Sequence, residues 1–354
     1  ILSSILVIIG WRTSTFMFIN AITIFYVMAT PNFFGKLWHE QIIIWISWIM
    51  ALSNASNVWS FDAILKGKIT KLSGNNTWPI RLIWLHFGLI YFWAGFYKIW
   101  DAGFDWALSD SMINQVQLEW LQHYDKIPEV RIDLYPFLLH FGGLSVIIFE
   151  LLFPFFILIK SWRWLAFFGG LLMHNLLGYF MYISFLHFLQ VFYIYFVDFN
   201  WMIKNKGAEI DSKFTINKKV KLGILILVLN LFAGMFNVNS YPFSAYPKYS
   251  ALIPNKIQFI RFNAKNNGVD TFFEAKKSGF RWEDYGWLEY EIINKYKEGK
   301  FINNDLKDYW SIWKSKINNL KNCENIAVEL CERHIKPEGM KHIIIVDTLV
   351  ILKN

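Results

Sequence analysis

The chain has little cysteine, little proline and little charge for its length. Its 354 residues include two cysteines and nine prolines, and 18% of them are charged, against about 25% in an ordinary soluble domain. Cys323 and Cys331 would lie about 12 Å apart on a helix, beyond the roughly 7 Å that a disulfide allows, so we interpret them as structural thiols. No cysteine and histidine spacing is typical of zinc ligands, and we expect no metal.

Acidic residues are also scarce, which leaves a formal net charge of +8. Such a balance is compatible with nucleic-acid binding, but much of the basic charge lies in short loops between apolar segments. No RNA- or DNA-binding motif accompanies it. The composition therefore argues against a nucleic-acid partner and for a lipid bilayer.

Apolar residues are abundant: 55% of the chain is hydrophobic, 19% is aromatic and the mean hydropathy is +0.30. Segments near the roughly 20 residues that cross a bilayer recur as far as Val238. We predict an all-α polytopic membrane helical bundle of about 7–8 spans over residues 1–238, followed by a C-terminal extracytoplasmic α+β tail over 239–354. Because Ile1–Ile9 is too short to span, we expect a truncated N-terminus. The predicted spans are 1–9 (partial), 14–30, 41–57, 79–98, 134–159, 164–183, 186–200 and 221–238.

Loop charges orient these spans. Three basic stretches, after Asn57, at 160–163 and at 204–221, are predicted to be cytoplasmic, whereas the acidic stretch 99–133 is predicted to face outward. The tail then lies on the outer side of a multi-pass protein, which we expect in a bacterial inner membrane. Within the tail, IQFIRF and HIIIVDTLVIL are typical of strands, and DLKDYWSIWKSKINNL is typical of a helix.

One lysine, Lys98, interrupts the apolar run YFWAGFYKIW near the outer end of its predicted helix. Tyr91, Gly95 and Lys98 share one helix face because they are spaced i, i+4 and i+7. A lysine at such a place often extends its amine to the lipid headgroups. Alternatively, a lysine that is partly removed from water beside a cavity can act as a base.

Other ionisable residues occur at membrane depth on different predicted helices. His140 and Glu150 share one span, His174 lies in the middle of the next, and His39 and His187 lie near the outer surface. Each histidine alone is compatible with a packing role. Together they favour a polar cavity in the outer leaflet, because ionisable side chains inside membranes usually face a bundle interior.

Two adjacent motifs resemble those of the vitamin K-dependent γ-carboxylases and their bacterial relatives with the HTTM (horizontally transferred transmembrane) domain. NASNVWSFDAIL at 54–65 is similar to the family's Asn-x-x-Trp-Ser-x-Asp segment, and YFWAGFYKIWDAGFDWALSDSM at 91–112 is similar to its lysine motif. HFGG at 140–143 and the His174 helix follow in matching order. The resemblance covers about residues 13–200, and Ser109 and Leu177 depart from its pattern.

The resemblance implies that Lys98 is the catalytic base that deprotonates a reduced quinone, either vitamin K hydroquinone or menaquinol. O2 and CO2 would be co-substrates, and a peptide or protein would be the acceptor. It implies substrate-binding roles for His39, Tyr91, His140, His174 and Glu150. It implies structural roles for Trp59, Ser60, Asp62, Gly95 and Trp106.

Two alternatives stay open. The chain could be a non-catalytic membrane scaffold whose outer tail binds a partner protein and whose lysine reaches for headgroups. A transporter is disfavoured, because no inverted repeat and no pair of broken helices is visible. For Ser60 and Asp62, the residues themselves favour capping of the following helix over catalysis.

Overall fold

A computed structural model gives the fold of the chain. It describes residues 1–33, 41–53, 55–57, 60–66, 77–122, 127–183, 189–197, 216–245, 250–266, 269–274, 282–300, 325–335 and 343–353. These divide into two compact units. The first comprises 1–106, 142–178 and 184–251, and the second comprises 107–141, 179–183 and 252–354.

Helices dominate the chain as far as residue 235. They are α1 (Leu2–Ile9), α2 (Thr13–Phe33), α3 (Gln41–Leu52), α4 (Phe61–Lys66), α5 (Trp78–Ala102), α6 (Asp105–Leu108), α7 (Ser111–Gln122), α8 (Pro136–Leu158), α9 (Arg163–Met181), α10 (Leu189–Phe192) and α11 (Lys218–Met235). Short 3₁₀ turns cover Ala55–Asn57, Ile132–Leu134, Lys160–Trp162 and Tyr193–Phe196.

Within the described residues, four helical segments are long and apolar enough to cross a bilayer: Thr13–Thr30, Trp78–Ala102, Pro136–Leu158 and Lys160–Met181. Gln41–Leu52 is apolar but shorter. The prediction of a mostly helical integral membrane protein is thereby confirmed. The count of seven or eight spans stays a prediction, and the predicted span 186–200 contains only a four-residue helix and a 3₁₀ turn in its described part.

The first unit is built around an aromatic and aliphatic core. Phe87 and Tyr91 on α5 pack with Phe153 on α8, and Tyr193 and Phe196 close the cluster from the segment after α10. Phe153 and Tyr193 are fully buried. This core surrounds the face of α5 that carries Tyr91, and it fixes how α5 and α8 approach each other.

The second unit contains a four-stranded antiparallel sheet of order β2-β1-β3-β4. Its strands are β1 (Lys256–Asn266), β2 (Val269–Glu274), β3 (Asn325–His334) and β4 (Ile343–Lys353), and helix α12 (Trp282–Lys297) packs on β1. In the register, Arg261 lies opposite Glu329, and the two side chains form a buried ion pair at 2.6 Å. The predicted strands of the tail are therefore confirmed, with IQFIRF in β1 and most of HIIIVDTLVIL in β4. The predicted helix at 305–320 lies outside the described residues.

Helix α7 is held within the same unit by polar contacts. Ser111 Oγ accepts a hydrogen bond from the Ile253 amide at 3.0 Å, and Asn114 donates to the Ile253 carbonyl at 2.8 Å. Gln117 donates to Asp133, which also pairs with Arg131. Burial alone would raise the pKa of Asp133, but the hydrogen bonds from Arg131 and Gln117 outweigh it and hold that pKa below its ordinary value.

Candidate functional site

Lys98 and Glu150 form an ion pair inside the first unit. The Lys98 ammonium donates to both carboxylate oxygens of Glu150, at Nζ–Oε1 and Nζ–Oε2 distances of 3.0 and 2.8 Å. The two side chains are only 5% and 9% exposed. The amine therefore turns into the protein rather than outward along the helix, which is opposite to the geometry of a lysine that reaches for headgroups.

Glycines on α5 let α8 come close enough for this pair to form. A Cβ added to Gly95 would lie 2.9 Å from the Glu150 Cβ and 3.2 Å from the Leu151 amide nitrogen. Two turns earlier, a Cβ added to Gly88 would lie 3.0 Å from Ile157 Cδ1. Small residues at one face allow membrane helices to pack backbone to backbone, and here they bring Glu150 to Lys98.

Two further groups surround the Lys98 amine. The Ala94 carbonyl lies 3.4 Å from Nζ, and the Trp106 ring lies with its centroid 5.2 Å from Nζ. The ring face of an indole attracts a cation through its quadrupole. The ammonium thus has a carboxylate, a carbonyl and an aromatic face around it, and Lys98 as a whole is 4% exposed.

A second polar cluster lies deeper along the same face of α5. Tyr91 Oη is 2.7 Å from His174 Nε2 and is also hydrogen-bonded to Tyr193 Oη. Stacked on Tyr91 is the Phe153 ring, with a centroid separation of 4.0 Å. Three elements, α5, α9 and the Tyr193–Phe196 turn, therefore each contribute one hydrogen-bonding side chain to a packed aromatic interior.

The structure brings six of the predicted site residues into two clusters. Lys98 meets Glu150 and Trp106, Gly95 meets Glu150, and Tyr91 meets His174. His140 belongs to the second unit, where its Nε2 is buried and has no hydrogen-bond partner among the residues that the structure describes. His39, Trp59 and His187 lie outside the described residues.

Ser60 and Asp62 take structural positions. Ser60 Oγ accepts from the Ala63 amide at 3.0 Å, as an N-cap of α4 does. The Asp62 carboxylate contacts a different helix from its own. It accepts hydrogen bonds from the amides of Arg12 and Thr13, each at 2.8 Å, at the start of α2. The motif thus ties α4 to the start of a candidate membrane span.

Sequence reasoning missed Tyr193 and His86. Tyr193 is one of 16 tyrosines in the chain, and nothing in its local pattern distinguishes it. His86 is 2% exposed on α5, with Nδ1 3.0 Å from the Leu82 carbonyl and Nε2 3.5 Å from Asn230 Nδ2. A histidine in the middle of an apolar helix is itself a signal for a buried polar partner, and it could have been used here.

Comparison with known protein families gives a match over the part of the chain that contains these residues. The HTTM domain model matches residues 1–201, more than half of the sequence, and that range contains every site residue described above except Asn230. No curated protein and no solved structure matches the chain.

Proposed function

Since this integral membrane protein belongs to the HTTM domain family, we propose that it uses Lys98 as a base in quinol-dependent oxygenation or carboxylation of an extracytoplasmic substrate. The observation that carries the proposal is the buried Lys98–Glu150 pair. Placing two charges at membrane depth is costly, and such residues commonly serve ion, proton or substrate chemistry. A structural role alone would be met more cheaply by apolar side chains of similar volume.

The pair supplies the acid–base step that the proposal needs. Glu150 can take the proton that the Lys98 ammonium already directs at its oxygens, which leaves a free amine. The free amine can then accept the proton of a quinol hydroxyl. When bound, a reduced quinone would be the group that reacts with O2. The residues of the protein would bind and orient the quinone and transfer its protons.

The groups near the pair are of the kinds that can bind a quinol, which has hydroxyl groups on an aromatic ring. Tyr91 and His174 offer hydroxyl and imidazole groups for hydrogen bonding, and Phe149 and Phe153 surround Tyr91 with aromatic rings. We keep His39, Tyr91, His140, His174 and Glu150 as the proposed substrate-binding residues. The acceptor that we propose is a peptide or protein.

We also propose the finer topology and organisation that the charges favour. Seven or eight spans over 1–238 would place 99–133 and the domain 239–354 outside the cytoplasm, in a bacterial inner membrane. Lys98 would then lie at the outer leaflet, on the same side as an extracytoplasmic acceptor.

Oxygen consumption by the purified protein tests the proposal directly. With vitamin K hydroquinone or menaquinol, Lys98→Ala should lower the rate at least about a hundredfold, the usual contribution of a general base. Lys98→Arg should be equally inactive, because a guanidinium stays protonated. Lys160→Ala, at an exposed lysine between α8 and α9, is the matched control and should leave the rate unchanged. Full turnover by Lys98→Ala would refute the base assignment.

A scaffold is the second candidate, and one observation favours it. On β4, the consecutive residues Ile344, Ile345 and Val346 are 54%, 50% and 46% exposed. Since neighbouring side chains of a strand point to opposite faces, an apolar strand exposed in this way is suited to pairing with a partner protein. This candidate predicts that no quinol binds, that Lys98→Arg is silent, and that Ile345→Lys releases a partner retained by residues 240–354.

A further inference from the structure

The amine of Lys98 has little open space around it in the observed arrangement, because the side chain is 5% exposed. A quinol hydroxyl would have to come within about 3 Å of Nζ for proton transfer. That space is bounded by the Glu150 carboxylate, by the Ala94 carbonyl and by the Trp106 ring. One of these walls must therefore move before Lys98 can act.

Two of the three walls are fixed. Ala94 is part of the α5 backbone. Glu150 lies in the 23-residue helix α8, where its Cβ is pressed against Gly95, so its main chain has no room to shift toward α5. Its carboxylate is in addition held by the charge of the ammonium itself.

Trp106 is the one of the three groups that is not carried by a long helix. It lies on the four-residue helix α6, three residues after Gly103. Gly103 ends α5 with φ 62° and ψ −155°, a conformation that is essentially restricted to glycine. A Cβ added to Gly103 would meet no atom of the described residues within 4 Å, so the backbone has space to turn there. Phe104, between Gly103 and α6, is 59% exposed, so the segment is held in the core through Trp106 and Ala107, which are 6% and 0% exposed.

We propose that Trp106 is a gate over the Lys98 amine, closed by attraction between the indole face and the ammonium and opened by rotation about Gly103 when a ligand enters. The proposal rests on the proposed function of Lys98 as a base and identifies Trp106 as a positioning residue for it. The attraction requires a positive charge, because a neutral amine has little interaction with the ring quadrupole. Loss of the lysine proton to Glu150 and opening of the gate therefore favour each other.

Chemical labelling of Lys98 tests the gate without turnover. The full chain in nanodiscs is treated briefly with the acetyl ester of N-hydroxysuccinimide, and mass spectrometry compares acetylation of Lys98 with that of the exposed Lys160 in the same sample. Trp106→Ala should raise relative labelling of Lys98 by about fivefold to thirtyfold, the factor expected for loss of one desolvated cation–π contact. Trp106→Phe, which keeps a ring face, should stay near wild type.

Two further variants keep the outcome decisive. Trp100→Ala removes a 73% exposed indole from α5, the helix that carries Lys98, and should not change the labelling. Trp106→Leu keeps most of the volume without a π face, and it carries the test if Trp106→Ala does not fold. Folded Trp106→Ala or Trp106→Leu with wild-type labelling would overturn the gate, as would an equal increase in Trp100→Ala. Because no quinol is present, a negative oxygen-uptake result and a negative labelling result can be told apart.

Discussion

At the scale of single residues, the buried charges of Lys98 and Glu150 depend on each other. The Lys98 ammonium and the Glu150 carboxylate are both removed from water, and each compensates the other at 2.8 Å. Removing one partner of a buried pair leaves an unpaired charge and usually costs about 3–5 kcal/mol, whereas replacing both by apolar side chains is often neutral. Stability and function therefore make opposite demands on this pair.

A comparison of a single and a double variant separates these demands. Lys98→Met alone should lower the free energy of unfolding by about 3–5 kcal/mol, because the Glu150 carboxylate stays buried without its cation. Lys98→Met combined with Glu150→Leu should recover stability to within about 1 kcal/mol of wild type while remaining inactive with quinol. Thermal unfolding in detergent measures both variants. A double variant as unstable as Lys98→Met would mean that the pair contributes more than mutual neutralisation.

At the scale of elements, two glycines of α5 determine where α8 can lie. Gly88 and Gly95 are seven residues apart, so they occupy nearly the same face of the helix as Tyr91 and Lys98. The close approach at Gly95 puts the backbone of α8 beside α5 at the level of Glu150. The pattern of apolar residues predicts that both helices exist, but the glycine face decides which pair of charges can meet.

Substitution of Gly95 tests this role, with Gly142 as the matched control. Gly95→Ala should lower the free energy of unfolding by about 1–3 kcal/mol, the usual cost of overpacking, because its Cβ would lie 2.9 Å from the Glu150 Cβ. Gly142→Ala, on α8, places a Cβ with no described atom within 4 Å and should be neutral or stabilising by up to about 1 kcal/mol. Equal effects of the two alanines on thermal unfolding would contradict a specific contact at Gly95.

At the scale of the whole molecule, the sequence predicts elements better than it predicts their partners. Apolar length placed the helix now seen as Pro136–Leu158 at 134–159, and strand-like alternation placed IQFIRF in β1. The pairing of Lys98 with Glu150, 52 residues away, depends on helix packing that periodicity does not encode. Tyr193 stayed hidden for the same reason, since its hydrogen bond to Tyr91 is visible only once the chain is folded.

The orientation of the whole chain rests on its loop charges and can be tested with reporter fusions. The basic stretch 204–221, with Lys204, Lys206, Lys213, Lys218, Lys219 and Lys221, should stay in the cytoplasm, because positively charged loops are retained there. A green fluorescent protein fused after Lys206 should therefore fluoresce, and an alkaline phosphatase fused after Asn354 should be active outside the cytoplasm. Exchanging the two reporters between these sites is the control and should give neither signal. A fluorescent fusion after Asn354 would instead put the sheet domain inside the cell, on the side opposite to the proposed extracytoplasmic acceptor, and the proposed carboxylation would then lose its substrate.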